Sequence, residues 1–313
     1  MAWVQWIALP YLFFRLVRAY LLVDLSCMQG KAVIITGASS GFGRAVALKM
    51  HELGAVVFAG CNRQSSVNDL TAEFASSNRM RPILLNVSNG DHVAQAVETI
   101  SQSGLPLRSV INNAGISAFG WAEVLPVERH AQNVDVNYLG AVRMTRAFLP
   151  LLRLHKGRLV NMGSIGARMP SAFGSSYLPA KAAMLSYSEC VRQETYRHGV
   201  KVVYIEPGFF ETSLLTSARA NGAAHAAALG TTAAAAAPTK PDRAVCPDET
   251  ERAEAYPSFE TKMAKTAEQI RVFENLNGGA KGVDAVVDAT SERAARPSNH
   301  ARPHTCIGHC RSP

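Results

Sequence analysis

Tyr177 and Lys181 stand four residues apart in Ser175-Ser176-Tyr177-Leu178-Pro179-Ala180-Lys181, and Ser164 lies thirteen residues before the tyrosine. A spacing of four puts two side chains on one face of a helix, a turn apart. An ammonium held there stabilises a phenolate, so the phenol is expected to titrate below its ordinary value of about 10. A phenol tuned in that way exchanges a proton with an alcohol near neutral pH. Upstream, Thr36-Gly37-Ala38-Ser39-Ser40-Gly41-Phe42-Gly43 forms a glycine-rich turn. Such a turn, placed between a strand and a helix, lets backbone approach a pyrophosphate at the helix N-terminus. A proton-exchanging phenol beside a dinucleotide points to hydride transfer.

These groups need a scaffold, and the apolar pattern predicts one. Short apolar runs at residues 31–36, 55–60, 81–86, 107–112, 158–162 and 200–205 predict strands. Amphipathic stretches at 44–53, 69–76, 91–100, 136–152 and 177–198 predict the intervening helices. Strands alternating with helices imply an α/β fold with a doubly wound parallel sheet of Rossmann type. Asn112-Asn113-Ala114-Gly115 closes the fourth predicted strand with small residues, as a sheet requires where a cofactor crosses its edge. After residue 206 the alternation breaks down, with one last plausible helix at 283–293.

The formal charge of +8 does not mark a nucleic-acid binder. Half of it comes from Arg293, Arg296, Arg302 and Arg311 in a tail with no later acid, and the rest is thinly spread. Cys27, Cys61, Cys190, Cys246, Cys306 and Cys310 are scattered, which predicts free thiols and no disulfide framework. His304, Cys306, His309 and Cys310 crowd into seven residues with no second ligand pair, the wrong spacing for a zinc module. No metal is expected.

Residues 1–28 differ from the remainder. Trp3, Trp6, Ile7, Leu9, Leu12, Phe13 and Phe14 are followed by Arg15 and Arg18 and a second apolar run. No uninterrupted apolar run reaches the roughly 20 residues that span a bilayer. A membrane anchor lying in or crossing the surface is the first expectation, a mitochondrial targeting segment the alternative. Residues 223–238 form an alanine-rich, low-complexity insertion. Residues 293–313 are a basic, poorly ordered tail.

Thr36-Gly37-x3-Gly41-x-Gly43, Asn113-Ala114-Gly115, Ser164, Tyr177-x3-Lys181 and Pro207-Gly208 resemble, in order and spacing, the motifs of the short-chain dehydrogenase/reductase family. Five motifs in register cover about residues 30–212. Gly41-Phe42-Gly43 followed by Val57-Phe58-Ala59-Gly60-Cys61 is similar to the branch of retinol, 17β-hydroxysteroid and 3-hydroxybutyrate dehydrogenases, many of them membrane-bound.

The resemblance implies roles. Tyr177 is the general acid/base, Lys181 depresses its pKa and binds the nicotinamide ribose, and Ser164 orients the substrate oxygen. Asn137 helps hold a relay water. Gly37, Ser39, Ser40, Gly41, Phe42, Gly43, Asn113, Ala114 and Gly115 line the cofactor, with Pro207, Gly208 and Thr212 over its nicotinamide. Asn86-Val87 stands where the family usually places Asp-Val against adenine. The branch resemblance makes NAD the expected cofactor, with NADP open: Gly60-Cys61 ends the second strand with neither an acid nor a cation, and Arg63 and Arg44 could reach a 2′-phosphate. The expected substrate is a lipophilic secondary alcohol or ketone of retinoid or hydroxysteroid type. A 3-hydroxybutyrate-type activity and a catalytically silent cofactor binder are the alternatives. The expected divisions are a catalytic domain at 29–215 and a substrate lid at 216–292. The endoplasmic reticulum is the expected location, the mitochondrion the alternative, and a homo-oligomer is left open.

Overall fold

The computed structural model describes residues 25–208, Val124 apart. Residues 1–24 of the expected 1–28 anchor, Thr212, the expected 216–292 lid with its insertion, the expected 283–293 helix, and the tail with His304 to Cys310 lie outside the described residues. Among the described residues no helix is long and apolar enough to cross a membrane.

Six parallel strands make one sheet: β1 (Ala32–Thr36), β2 (Val56–Cys61), β3 (Met80–Leu84), β4 (Leu107–Asn112), β5 (Arg158–Met162) and β6 (Lys201–Ile205). Their order is β3-β2-β1-β4-β5-β6. The order reverses between β1 and β4, and the crevice outside the strands' carboxyl ends at such a reversal is where an open α/β sheet takes ligands. Helices α1 (Gly41–Glu52), α2 (Gln64–Glu73), α3 (Gly90–Gln102), α4 (Val127–Val134), α5 (Gly140–His155) and α6 (Tyr177–Thr195) cover it.

The fully buried strands account for the unbroken apolar runs, since both faces need covering. Alternate residues of β1 feed opposite layers. Val33 and Ile35 pack with Val46, Ala47 and Met50 of α1 and Leu70 of α2. Ala32 and Ile34 pack with Val93, Ala96 and Ile100 of α3 and Met144, Phe148 and Leu152 of α5.

Three sequence expectations need correction. The strand expected at 81–86 ends at Leu84, because the Asn86 carboxamide turns back to accept from the Ser88 amide at 3.0 Å. The helix expected at 44–53 starts at Gly41, so the glycine turn forms its first turn. The helix expected at 136–152 begins as a π-helical turn at Asp135–Leu139 and continues as α5 to His155, and α4 precedes it unforeseen. Asn133 is the buried residue of α4 while its apolar Val127 and Val134 are exposed, so apolar pattern and burial do not coincide there.

Candidate active site

The glycine turn leaves β1 at Thr36 and is tied to β4 by polar bonds. Thr36 Oγ1 accepts from the amides of Asn113 and Ala114, each at 2.9 Å. Asn113 Nδ2 donates back to the carbonyls of Thr36 at 2.9 Å and Gly37 at 3.2 Å. The Ala38 amide bonds Gly60 O of β2 at 2.9 Å, which fixes the turn against its other neighbour. A Cβ on Gly43 would lie 2.2 Å from Gly37 O and 2.4 Å from Asn113 Nδ2, so no side chain fits there. The turn, Asn113 and the start of α1 form one unit at the sheet reversal.

That unit fits a dinucleotide. Ser40 is extended and its side chain does not cap α1, whose first-turn N–H groups lack helical partners by geometry. Gly41 and Ser40 are exposed, and Ser39 and Phe42 are half-buried beside them. At the end of β2, burial pushes the Cys61 thiol up to about 11, so it stays neutral at physiological pH. Arg44, one residue beyond Gly43, pairs with Glu73 of α2 at 2.5 Å. Asn86 is exposed past β3, whereas Val87 is buried against Gly140.

Ser164, Tyr177 and Lys181 converge beyond β5. Ser164 opens a 3-10 turn at Ile165–Ala167, and its Oγ accepts from the Gly166 amide at 3.1 Å. With that lone pair engaged, its hydroxyl proton is free to point at another oxygen. Tyr177 begins α6 and is 8% exposed, its hydroxyl facing that of Ser164. Lys181 is 5% exposed and donates from Nζ to Met162 O at 2.8 Å. Its Nζ stands 5.6 Å from the Tyr177 ring centroid.

The electrostatics correct a sequence expectation. The Tyr177 phenol is not depressed but pushed up to about 12, chiefly by burial, with Ser164 drawing it partly back. Burial also lowers Lys181 to about 8. The reason is geometric: the lysine is one turn away as expected, but its ammonium bonds Met162 O, and desolvation dominates both groups.

Asn137 sits in the π-helical turn and is buried. Its Oδ1 accepts from Ile116 N at 2.9 Å, and its Nδ2 donates to Ile116 O at 2.8 Å and Asn133 Oδ1 at 2.9 Å. Asn133 Nδ2 then reaches Ser176 Oγ at 2.8 Å, the residue before Tyr177. Both Asn137 amide protons are therefore engaged, and the side chain pins the 113–117 loop to α4. A Cβ on Gly115 would lie 2.9 Å from Asn137 Oδ1, which explains a glycine there. Sequence reasoning missed Asn133 and Ser176. The signal was an asparagine four residues before Asn137, on a helix whose buried residue is polar and whose apolar Val127 and Val134 are exposed.

Rings border the phenol. Phe119 lies 5.7 Å from Tyr177 between centroids, and Trp121 meets Phe173 edge-on at 4.4 Å. Arg168, on the turn that Ser164 opens, pairs with Glu206 at 2.6 Å. Pro207 O accepts from Ile165 N at 3.0 Å, which holds the Pro207-Gly208 segment beside that turn.

Residues 31–223 match the family described as short chain dehydrogenase. A mitochondrial D-beta-hydroxybutyrate dehydrogenase of Mus musculus is 43% identical over 200 residues, covering 61% of this chain and 58% of that one. Estradiol 17-beta-dehydrogenase 2 of Rattus norvegicus is 38% identical over 199 residues, covering 62% and 52%. A short chain dehydrogenase of Burkholderia cenocepacia, solved in complex with NADP, superposes with a TM-score of 0.55 at 29% identity, covering 61% of this chain and 77% of that one. The chain thus spans little more than half the length of these two curated relatives.

Proposed function

The chain belongs to the short-chain dehydrogenase family, and from that premise we propose that it is an oxidoreductase moving a hydride between a lipophilic secondary alcohol and NAD. One observation carries the reading: a buried phenol faces a serine hydroxyl, with a buried ammonium one turn behind, beside the sheet reversal. A bound oxidised nicotinamide supplies the hydride acceptor and a positive ring. Ser164, its oxygen fixed by Gly166, donates its proton to the substrate oxygen and holds it against Tyr177. Tyr177, neutral at rest, would first release its own proton to solvent, favoured by Lys181 and the positive ring. Its phenolate Oη would then take the alcohol proton as the carbinol carbon gave up hydride to the acceptor, leaving a ketone. Lys181 holds positive charge behind the phenol and faces the ribose side through the space over Gly115. Asn137 positions the 113–117 loop in this reading, with no water assigned to its side chain.

The residues proposed to hold the cofactor are Gly37, Ser39, Ser40, Gly41, Phe42, Gly43, Asn86, Val87, Asn113, Ala114, Gly115, Pro207, Gly208 and Thr212. NAD is preferred on the branch resemblance and because Arg44 is engaged by Glu73, while exposed Arg63, two residues beyond Cys61, is the cation that a 2′-phosphate would use. The lipophilic substrate rests on Phe119 beside the phenol, and on Arg168 being paired with Glu206 instead of offered to a substrate carboxylate. Residues 1–28 are proposed to attach the catalytic domain at 29–215 to a membrane, the endoplasmic reticulum first and the mitochondrion second. Residues 216–292 are proposed to form the substrate lid.

NADH formation by the full chain against retinoids, hydroxysteroids and short hydroxy acids tests the activity. Turnover of hydroxybutyrate alone would overturn the substrate class, and cofactor binding without any turnover would overturn the enzyme. Tenfold better efficiency with NADP would overturn the cofactor. Extraction of the protein by carbonate would remove the integral form of the anchor.

A further inference from the structure

A second phenol stands beside the first, and the proposed mechanism does not use it. Tyr204 lies on β6 opposite Asn161 of β5. Its hydroxyl donates to the backbone carbonyl of Lys181 at 3.3 Å. The backbone amide of Ser164 faces the same oxygen and draws the phenol's acidity partly back from the rise that burial imposes. It also lies close enough to Tyr177 for the two phenols to interact electrostatically. One oxygen thus touches the backbone of two of the three groups that converge on the reacting position.

Gly163 completes the arrangement. A Cβ there would lie 2.0 Å from Tyr204 Cζ and 2.2 Å from its hydroxyl. The residues with positive φ do not include Gly163, so its backbone does not demand glycine. The space left by its missing side chain is what the Tyr204 ring fills. A glycine just past the end of β5 and a tyrosine on β6 therefore form a matched pair.

We propose that Tyr204, admitted by Gly163, is a positioning residue that clamps the exit of β5 to the α6 backbone at Lys181 and so sets the separation of Ser164 from Tyr177 and Lys181. The inference deepens the oxidoreductase reading and rests on it only for its kinetic consequence. The clamp itself is a property of the polypeptide.

Tyr204→Phe removes the hydroxyl and keeps the ring. In the full chain, amide-resolved hydrogen exchange should show the Ser164 amide exchanging at least about 5-fold faster, the loss expected for one net hydrogen bond. The β5 amides of Leu159 and Val160 should keep their protection. In turnover, kcat should fall roughly 3- to 15-fold while both KM values stay within about 2-fold, since a group acting through others changes the transition state more than ground-state binding. Gly163→Ala should reproduce both effects by displacing the ring, and should add little to a Tyr204→Ala background, because residues in contact are non-additive. Unchanged exchange at Ser164, or unchanged kcat in an active enzyme, would overturn the clamp. Absence of turnover in the unmodified protein would overturn the oxidoreductase reading, and the exchange measurement would still decide the clamp.

Discussion

The cofactor edge and the substrate edge of the site are held by different physics. At the edge proposed for the cofactor, neutral side chains that do not titrate fix the backbone: Thr36 Oγ1 binds two amides, Asn113 Nδ2 binds two carbonyls, and Gly43 leaves no room for a carbon. At the substrate edge the fixing groups are side chains that can gain or lose a proton, each shifted by burial. The first edge is complete as it stands. The second holds an acid made too weak and a base made too weak, and its chemistry waits for charge from the cofactor. Geometry alone builds a pyrophosphate cradle, whereas a proton-transfer site needs its electrostatics closed by what it binds.

The contrast breaks most sharply at Tyr177. Tyr177→Phe should lower kcat/KM by at least ~10²–10⁴ and leave NAD affinity near that of the unmodified protein, measured by turnover and by cofactor titration. Equal losses in both would mean that the two edges are not separable. Gly43→Ala should do the reverse. Its Cβ meets Gly37 O and Asn113 Nδ2, so overpacking of about 1–3 kcal/mol should lower the melting temperature, with NAD binding weakened at least about tenfold. A fully stable variant with normal NAD affinity would show that the cradle is softer than described.

Lys181→Met sharpens the electrostatic side. Lys181 is lowered from its ordinary 10.5 to about 8 on folding. Below 8 both folded and unfolded chains hold the proton, and the fold carries the full cost of a buried ammonium. From about 8 to 10.5 the folded chain sheds a proton that the unfolded chain keeps, so this residue's effect on stability improves as pH rises. Relative to Lys181→Met, the unmodified protein should gain on the order of 3 kcal/mol across that window, read from denaturant unfolding at each pH. A pH-independent difference between the two would show that the lysine is not desolvated. The smallest effect is expected at Asn133→Ala, which cuts the link from Asn137 to Ser176 and should cost about 1–3 kcal/mol of stability with only a few-fold fall in kcat.

The same contrast explains what the sequence disclosed. Glycines and small residues at the cofactor edge are there because backbone geometry forbids anything else, so Gly37, Gly41, Gly43 and the Asn113 loop were legible from residue type and order. The strands were legible because β1, β2 and β4 are buried on both faces. The Tyr177 spacing disclosed a shared helix face but not the direction of its titration, which depends on solvent exclusion and on the carbonyl that Lys181 finds. Helix α4 escaped notice because its buried residue is an asparagine. Tyr204 was read only as one more strand residue, since its value lies in the absent side chain of Gly163, just past the end of the neighbouring strand.

The π-helical turn at Asp135–Leu139 has a consequence for how this chain can change. One residue more than an α-turn needs is wound between α4 and α5, a phase slip in a continuous rod. Deleting one residue there should close the turn as α and leave both flanking helices close to their present phase, with Asn133 still meeting Ser176. The side chains wound within the turn would shift instead, taking Asn137 from Ile116 and Asp135 from Arg143, which it meets at 2.6 Å. The sheet, whose α5 face lies beyond the slip, would keep its protected amides while turnover was lost. A single-codon deletion could thus disarm the protein without unfolding it, which makes this segment an economical place for such a loss to begin.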